Sequence, residues 1–348
     1  MRLVGRAGGQ LCENRGVDLP ELTDLRERMV VVTLPLRVPF RGVTTREIAL
    51  LHGPRGWGEF SPFLEYPPAE AAAWLRSAIE SAYAGWPAPR RTHIPVNATV
   101  PAVAARSVAD VLARFEGCTT AKVKVAEPGQ TLADDLARVG AVREVLGESG
   151  RIRIDANGGW SVAEAVRGLS ALAPLGLEYA EQPCASVEDL IALRTSLSRN
   201  GVDVLIAADE SIRKASDPLR VARLGACDLF VVKVAPLGGV RRVLDLVEAA
   251  GLPAVVSSAL ESSVGIRAGV ALAAALPDLP YACGLGTVAL LAADVATPSM
   301  VPVGGALPVT TVTVDDGLRE RHTASPDRQR WWRQRLDDSY AALTGAGS

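Results

Sequence analysis

The sequence predicts an α/β fold: a (β/α)8-type barrel, a modified TIM barrel, with an α+β N-terminal capping domain that the C-terminal segment completes. Three observations carry this. Beyond about residue 92, eight short β-rich runs alternate with helical segments. The step from strand to strand is roughly 25–30 residues, the size of a βα unit. The runs are apolar almost throughout, as expected of parallel strands buried on both faces.

In order, the runs are THIPVNA (92–98), TTAKVKV (119–125), RIRIDAN (151–157), LEYAEQP (177–183), VLIAADE (204–210), LFVVKV (229–234), PAVVSSA (253–259) and YACGLGT (281–287). Segments such as LADDLARVGAVREVLG (132–147) and VAEAVRGLSALAPLG (162–176) lie between them. Their apolar residues recur at three- and four-residue intervals, the mark of amphipathic helices. An open doubly wound sheet is the alternative. It would carry a phosphate-binding glycine fingerprint, and neither G-x-G-x-x-G after a first strand nor a P-loop is present.

Ahead of the barrel the pattern changes. VVVTLPLRV (30–38) and TREIALLHG (45–53) read as strands joined by PFRGVTT, and GWGE (56–59) turns into another short strand. PPAEAAAWLRSAIESAYAG (67–85) reads as a helix with prolines at its start and Gly85 at its end. The expected partition is a loose extension over 1–28, a capping domain over 29–91 and a barrel over 92–297. The segment 298–348 then returns to the capping domain, with short strands and a charged tail helix.

Composition bounds the function. The 348 residues carry a net charge of −2, which gives no electrostatic case for nucleic acid or an anionic membrane. No apolar run reaches the length of a membrane span, and the first residues lack the apolar core of a signal peptide. Five scattered cysteines, none in a C-x-x-C pair, favour reduced thiols and a cytoplasmic location. The three histidines are His52, His93 and His322, so none falls between residues 94 and 321. Acid–base chemistry within that segment must use Lys, Asp, Glu or Tyr, and a Ser-His-Asp triad or a His-based metal site there is excluded.

Active sites of such barrels lie at the C-terminal ends of the strands. Lys122 and Lys124 stand two apart in one run, so they share a face. The next runs end in Asp155, in Glu181, in Asp209 and Glu210, and in Lys233; the seventh ends in Ser257 and Ser258, with Glu261 just beyond. A single acid at a strand end is most simply the N-cap of the following helix, and one lysine could be a surface residue. Three acids on consecutive strands, bracketed by lysines, are hard to explain as independent caps.

Converging carboxylates ionise together only if a cation compensates them. Oxygen ligands without His or Cys select Mg²⁺, or Mn²⁺, over zinc. A lysine crowded by a second positive charge is expected to have a depressed pKa, so Lys122 would help make Lys124 a base. Metal and base together suit removal of a proton beside a substrate carboxylate.

The joint occurrence of K-V-K, I-D-A-N-G-G-W, E-Q-P, A-D-E-S and V-K resembles the enolase superfamily, in its muconate-lactonizing-enzyme-like subgroup. The resemblance runs from about residue 29 to near the end, and P-F-R-G with G-W-G-E-x-S-P resembles the subgroup's capping domain. It implies Asp155, Glu181 and Asp209 as Mg²⁺ ligands, and Lys124 and Lys233 on opposite faces of a small carboxylate substrate. Lys122 would support Lys124, and Glu210 would stand behind the metal ligands.

Within the subgroup, three features resemble the ortho-succinylbenzoate synthase family: Arg153 two before Asp155, S-S-A-L-E-S-S-V-G (257–265) and C-G-L-G-T (283–287). They imply substrate binding by Arg153, Ser257, Gly284 and Leu285, and dehydration of a cyclohexadiene carboxylate in menaquinone biosynthesis. The N-succinylamino-acid racemases share the same ligands and lysines and stay open as an alternative, as do other epimerases and cycloisomerases of the subgroup. From another class, a non-catalytic barrel acting as a binding protein is also open.

Overall fold

The computed structural model describes residues 18–40 and 42–345. Three antiparallel strands, β1 (Met29–Phe40), β2 (Val43–Gly53) and β3 (Gly56–Phe60), form the capping sheet in the order β1-β2-β3. β1 holds Pro35 and Pro39, which an edge strand tolerates because it need not donate along its whole length. Helix Pro68–Ile79 packs on this sheet and presents Trp74 and Leu75 to a core that also contains Phe60. The last helix, Pro326–Thr344, adds Trp332 and Leu336 to the same core, with the Trp332 ring edge-on to Phe60 at 5.6 Å.

The loose extension expected over 1–28 is not what residues 18–28 form. A six-residue helix, Leu22–Glu27, buries Leu25 completely. It is tied down by Tyr83, whose hydroxyl donates to Asp24 at 2.6 Å, and by Tyr340, which donates to the Pro20 carbonyl. Residues 1–17 lie outside the described residues.

Two short strands, β4 (His93–Pro95) and β12 (Ala306–Pro308), pair antiparallel beside the barrel. The barrel itself has seven parallel strands in chain order: β5 (Ala98–Val100), β6 (Thr120–Lys124), β7 (Arg151–Asp155), β8 (Leu177–Glu181), β9 (Ile206–Ala208), β10 (Leu229–Lys233) and β11 (Ala254–Ser257). The run 92–98 thus splits between two sheets. Pro95 turns its carbonyl away from β12 to accept from the Cys283 amide, while the Val96 amide still donates to the Gly305 carbonyl.

The eighth stave is shorter than its sequence run. Cys283 bridges to Val96 and Gly284 bridges to Ser257, both parallel, and these two residues close the ring. A Cβ on Gly284 would stand 2.5 Å from the Ser257 hydroxyl, so a larger residue here would push the Ser257 side chain aside.

Helices after the strands bury their apolar faces on the barrel. Leu132–Leu146 and Val162–Leu172 each begin with a reciprocal cap, Thr131 with Asp134 and Ser161 with Glu164. Two other barrel helices take their caps from the capping unit. Glu59 of β3 accepts from the Ser262 amide at 3.1 Å, the Ser262 hydroxyl at 2.6 Å and the Gly265 amide at 3.0 Å, at the start of Ser263–Ala275. Glu80 accepts from the Val240 and Arg241 amides at 2.5 and 3.2 Å, at the start of Val240–Ala250. Each carboxylate satisfies helix N–H groups that have no intrahelical partner and lies at the positive end of the helix dipole. Among the described residues no helix is long and apolar enough to cross a membrane.

Candidate active site

The strand register brings the predicted charges together. Lys124 pairs with Asp155 across β6 and β7, and Asp155 pairs with Glu181 across β7 and β8. Asp209 directly follows β9, and Lys233 is the last residue of β10. In the eight-stave ring β6 and β10 are four staves apart, so Lys124 and Lys233 come from opposite sides of the mouth.

All of these side chains are buried. Lys124 donates to Asp155 Oδ2 at 2.6 Å and to Asn157 Oδ1 at 2.5 Å. Lys122 donates to both Glu181 oxygens, at 2.9 and 3.1 Å, and lies 3.3 Å from the same Asp155 oxygen. Lys233 donates to Asp209 Oδ2 at 2.5 Å, and Arg213 to Asp209 Oδ1 at 3.1 Å. Glu210 stands behind, held by Arg213 at 2.7 Å and by the Asn157 amide at 3.2 Å.

These contacts set the protonation states. Burial works against the charge on Asp155, but the charges of Lys124 and Lys122 outweigh it and hold the carboxyl far below the usual range. Asp209 is lowered in the same way, by Lys233 and Arg213 against its burial. Glu181 goes the other way, to about 7, because burial is reinforced by the negative charge of Asp155. Burial alone would lower Lys122; Glu181 and Asp155 raise it instead.

Among the described residues, no three acidic, histidine or cysteine side chains are grouped as ligands of one ion. Asp155, Glu181 and Asp209 reach the mouth, but each is turned to a lysine. A buried carboxylate takes the nearest cation available, and here that is an ammonium. The donor set nevertheless suits a hard divalent ion: it is all oxygen, from three successive strand ends.

A pocket of about 530 Å³, counting its open end, lies over this cluster. Ser257 and Gly284 line it, and so do Phe40 and Phe63 of the capping unit. Lys124 Nζ lies 5.3 Å from the centre of the Phe40 ring.

Arg153 and Leu285 do not line the pocket. Arg153 is fully buried inside the barrel, but its guanidinium donates to Glu178 at 2.5 Å, to the Ala282 carbonyl at 2.6 Å and to Asn97 at 3.1 Å, and it stacks on Tyr179. Those partners precede the strand ends, so the group is committed away from the mouth. Leu285 packs on Gly269, where an added Cβ would meet it at 2.5 Å.

Sequence reasoning missed Asn157, Gln182 and Arg213. Gln182 accepts from the Asp209 and Ser211 amides and so ties β8 to the Asp209 turn. Ala126, Asn157, Gln182 and Leu260 all have positive φ, at 59°, 47°, 40° and 67°, and all lie just past strands of the mouth. Such backbone is costly for L-residues and clusters where side chains must be aimed. The Asn of I-D-A-N was the one available signal, since Asn tolerates this region best.

Comparison with known proteins places the chain. Residues 104–317 match the Enolase C-terminal domain-like family and residues 31–82 the Enolase N-terminal domain-like family. The chain is 56% identical over 326 residues to the o-succinylbenzoate synthase of Mycobacterium bovis, covering 93% of this chain and 97% of that one. It is 57% identical over 326 residues to that of Mycolicibacterium smegmatis, covering 93% and 99%. Among solved structures it resembles the muconate lactonizing enzyme of Pseudomonas fluorescens complexed with muconolactone, with a TM-score of 0.71 at 23% identity, over 85% of this chain and 98% of that one. The L-Ala-D/L-Glu epimerase of Bacillus subtilis is similar too, with a TM-score of 0.66 at 23% identity, over 82% and 96%; at these identities the likeness concerns the fold. With its barrel, its capping sheet and its opposed lysines, the chain belongs to the enolase superfamily, in the family of the o-succinylbenzoate synthases.

Proposed function

We propose that the chain is a magnesium-dependent dehydratase that converts 2-succinyl-6-hydroxy-2,4-cyclohexadiene-1-carboxylate to o-succinylbenzoate in menaquinone biosynthesis. The observation that carries the substrate is the identity of more than half over 93% of the chain to o-succinylbenzoate synthases. The reaction class is supported by the mouth itself, where two lysines from opposite sides flank three carboxylates.

Charge bookkeeping fits a divalent ion and a dicarboxylate arriving together. Asp155, Glu181, Asp209 and Glu210 are matched by Lys122, Lys124, Lys233 and Arg213. A divalent cation and a doubly negative substrate add equal and opposite charge. Mg²⁺ held by Asp155, Glu181 and Asp209 would supply a Lewis acid for the substrate carboxylate and a counter-charge as the α-proton leaves.

The chain's own residues do the rest. Lys124 takes the proton from the ring carbon that bears the carboxylate. In a syn elimination the leaving hydroxyl is on the same face, so the Lys124 ammonium returns that proton to it; the C–O bond breaks, water departs and the ring becomes aromatic. Lys233 faces the other side as a cation. Lys122 keeps Glu181 in place, and Arg213 and Gln182 hold the Asp209 turn. Free thiols at Cys118, Cys184, Cys227 and Cys283 fit a cytoplasmic location.

The test offers the purified protein, with Mg²⁺, the cyclohexadiene carboxylate and separately N-succinylamino acids in D₂O. Fast aromatisation with slow deuterium exchange supports the dehydratase. Fast exchange without aromatisation would make the protein a racemase, and neither would leave a binding protein.

A further inference from the structure

We propose that Arg46 of the capping sheet is a positioning residue: it holds the loop 257–261 in the shape that walls the substrate pocket. That the pocket is the substrate's rests on the dehydratase reading; the loop-holding part does not.

Arg46 is 3% exposed, yet no carboxylate lies within hydrogen-bond reach of it among the contacts of the described residues. Its guanidinium is spent on two backbone carbonyls, one from each structural unit. Nε donates to Leu260 at 3.1 Å and a terminal nitrogen to Ser61 at 2.5 Å. The same group lies 4.4 Å from the centre of the Phe63 ring. Phe63 and Leu260 both line the pocket, so one cation fixes two walls of it from behind.

Leu260 is where such support is needed. It is a bulky residue at φ +67°, in the left-handed region that favours glycine. The turn is braced on its far side as well: Glu261 folds back to accept from the Ala259 amide at 2.6 Å, and Glu59 grips Ser262. Residues 257–260, all of which line the pocket, are thus presented by a strained turn whose carbonyl is pinned from the cap. Arg46 has no contact with Lys124, Lys233 or the three acids among its hydrogen bonds, so its removal should spare the chemical step.

A merely structural arginine and a positioning one are separated by pairing Arg46→Met with Leu260→Gly. Glycine adopts the turn without help, so it should make Arg46 dispensable. Two readouts are taken on the folded, magnesium-loaded protein: steady-state kinetics with the cyclohexadiene carboxylate, and hydrogen–deuterium exchange of the 257–262 segment without substrate. In the wild-type background Arg46→Met should raise KM about tenfold with kcat changed by no more than about threefold, the pattern of lost uniform binding. Exchange of the segment should quicken. In the Leu260→Gly background the same substitution should change KM by less than about threefold. Arg46→Lys, with one donor centre in place of a fork, should fall between, and it carries the same readouts if the methionine variant does not fold.

Equal KM effects in both backgrounds, a loss falling on kcat, or unchanged exchange in folded Arg46→Met would each overturn the proposal. If the wild-type protein dehydrates nothing, the function reading fails by itself, and the exchange arm still decides whether Arg46 holds the loop.

Discussion

Lys124 and Asp155 are register partners on neighbouring parallel strands, and their side chains meet at 2.6 Å in the barrel mouth. Lys122, on the same face as Lys124, reaches the same Asp155 oxygen at 3.3 Å. One carboxylate therefore governs two ammonium groups, and whatever engages Asp155 changes the electrostatics of both.

The proposed base is tested first. Lys124→Ala should lower kcat by about 10²–10⁴, the range for loss of a positioned proton acceptor. Circular dichroism and thermal melting should show a folded protein, since Lys122 remains to compensate Asp155. Turnover within tenfold of wild type would remove Lys124 from the mechanism.

Metal removal gives the second expectation. Chelation should abolish dehydration, and Mg²⁺ should restore it, with Mn²⁺ as the next best ion because the donors are all oxygen. Asp209→Asn should weaken Mg²⁺ binding in calorimetry. Full activity in a metal-free preparation, confirmed by elemental analysis, would contradict the oxygen-ligand reading.

A pH effect follows from Glu59. Its carboxyl is pushed from 4.5 to about 7, first by burial and next by the charge of Glu261, against hydrogen bonds from Ser262 and Ser61 and the charge of Arg46. Between those values the folded protein binds a proton that the unfolded chain does not, so this group's contribution to stability falls as pH rises through that window. The size is about 3 kcal/mol at most. Urea unfolding at pH 5 and pH 8, with Mg²⁺ constant, should show a smaller loss on raising pH in Glu59→Gln than in wild type. Equal losses would mean that Glu59 titrates normally.

Glu80→Ala removes the carboxylate that accepts from two backbone amides at the start of Val240–Ala250, the helix that follows the Lys233 strand. A lost cap costs about 0.5–2 kcal/mol. The expected result is a melting temperature lower by a few degrees, with KM little changed; an unaltered melting curve would show that the helix start stands without this cap.

The legible part of this protein was the part with a short period. Alternation within a strand placed Lys122 and Lys124 on one face, and the ends of apolar runs located Asp155, Glu181 and Lys233 without knowledge of their neighbours. Substrate binding by Arg153 was implied by resemblance alone; its actual partners, Glu178 and the Ala282 carbonyl, are distant in sequence. Asn157 and Gln182 owe their roles to a backbone conformation that no periodicity reports. The helix Leu22–Glu27 is too short to stand on its own propensity and exists because Leu25, Tyr83 and Tyr340 anchor it. The last stave reduces to two residues, so its run looked longer than its pairing.

The acids Glu59 and Glu80 lie in one half of the chain and terminate helices in the other. A graft that carried only the barrel from one family member to another would bring naked helix starts with it, and a graft of the cap alone would bury two carboxylates against the wrong partners. Modular exchange between relatives should therefore succeed only when the crossover keeps β3 together with Ser263–Ala275 and the Glu80 turn together with Val240–Ala250.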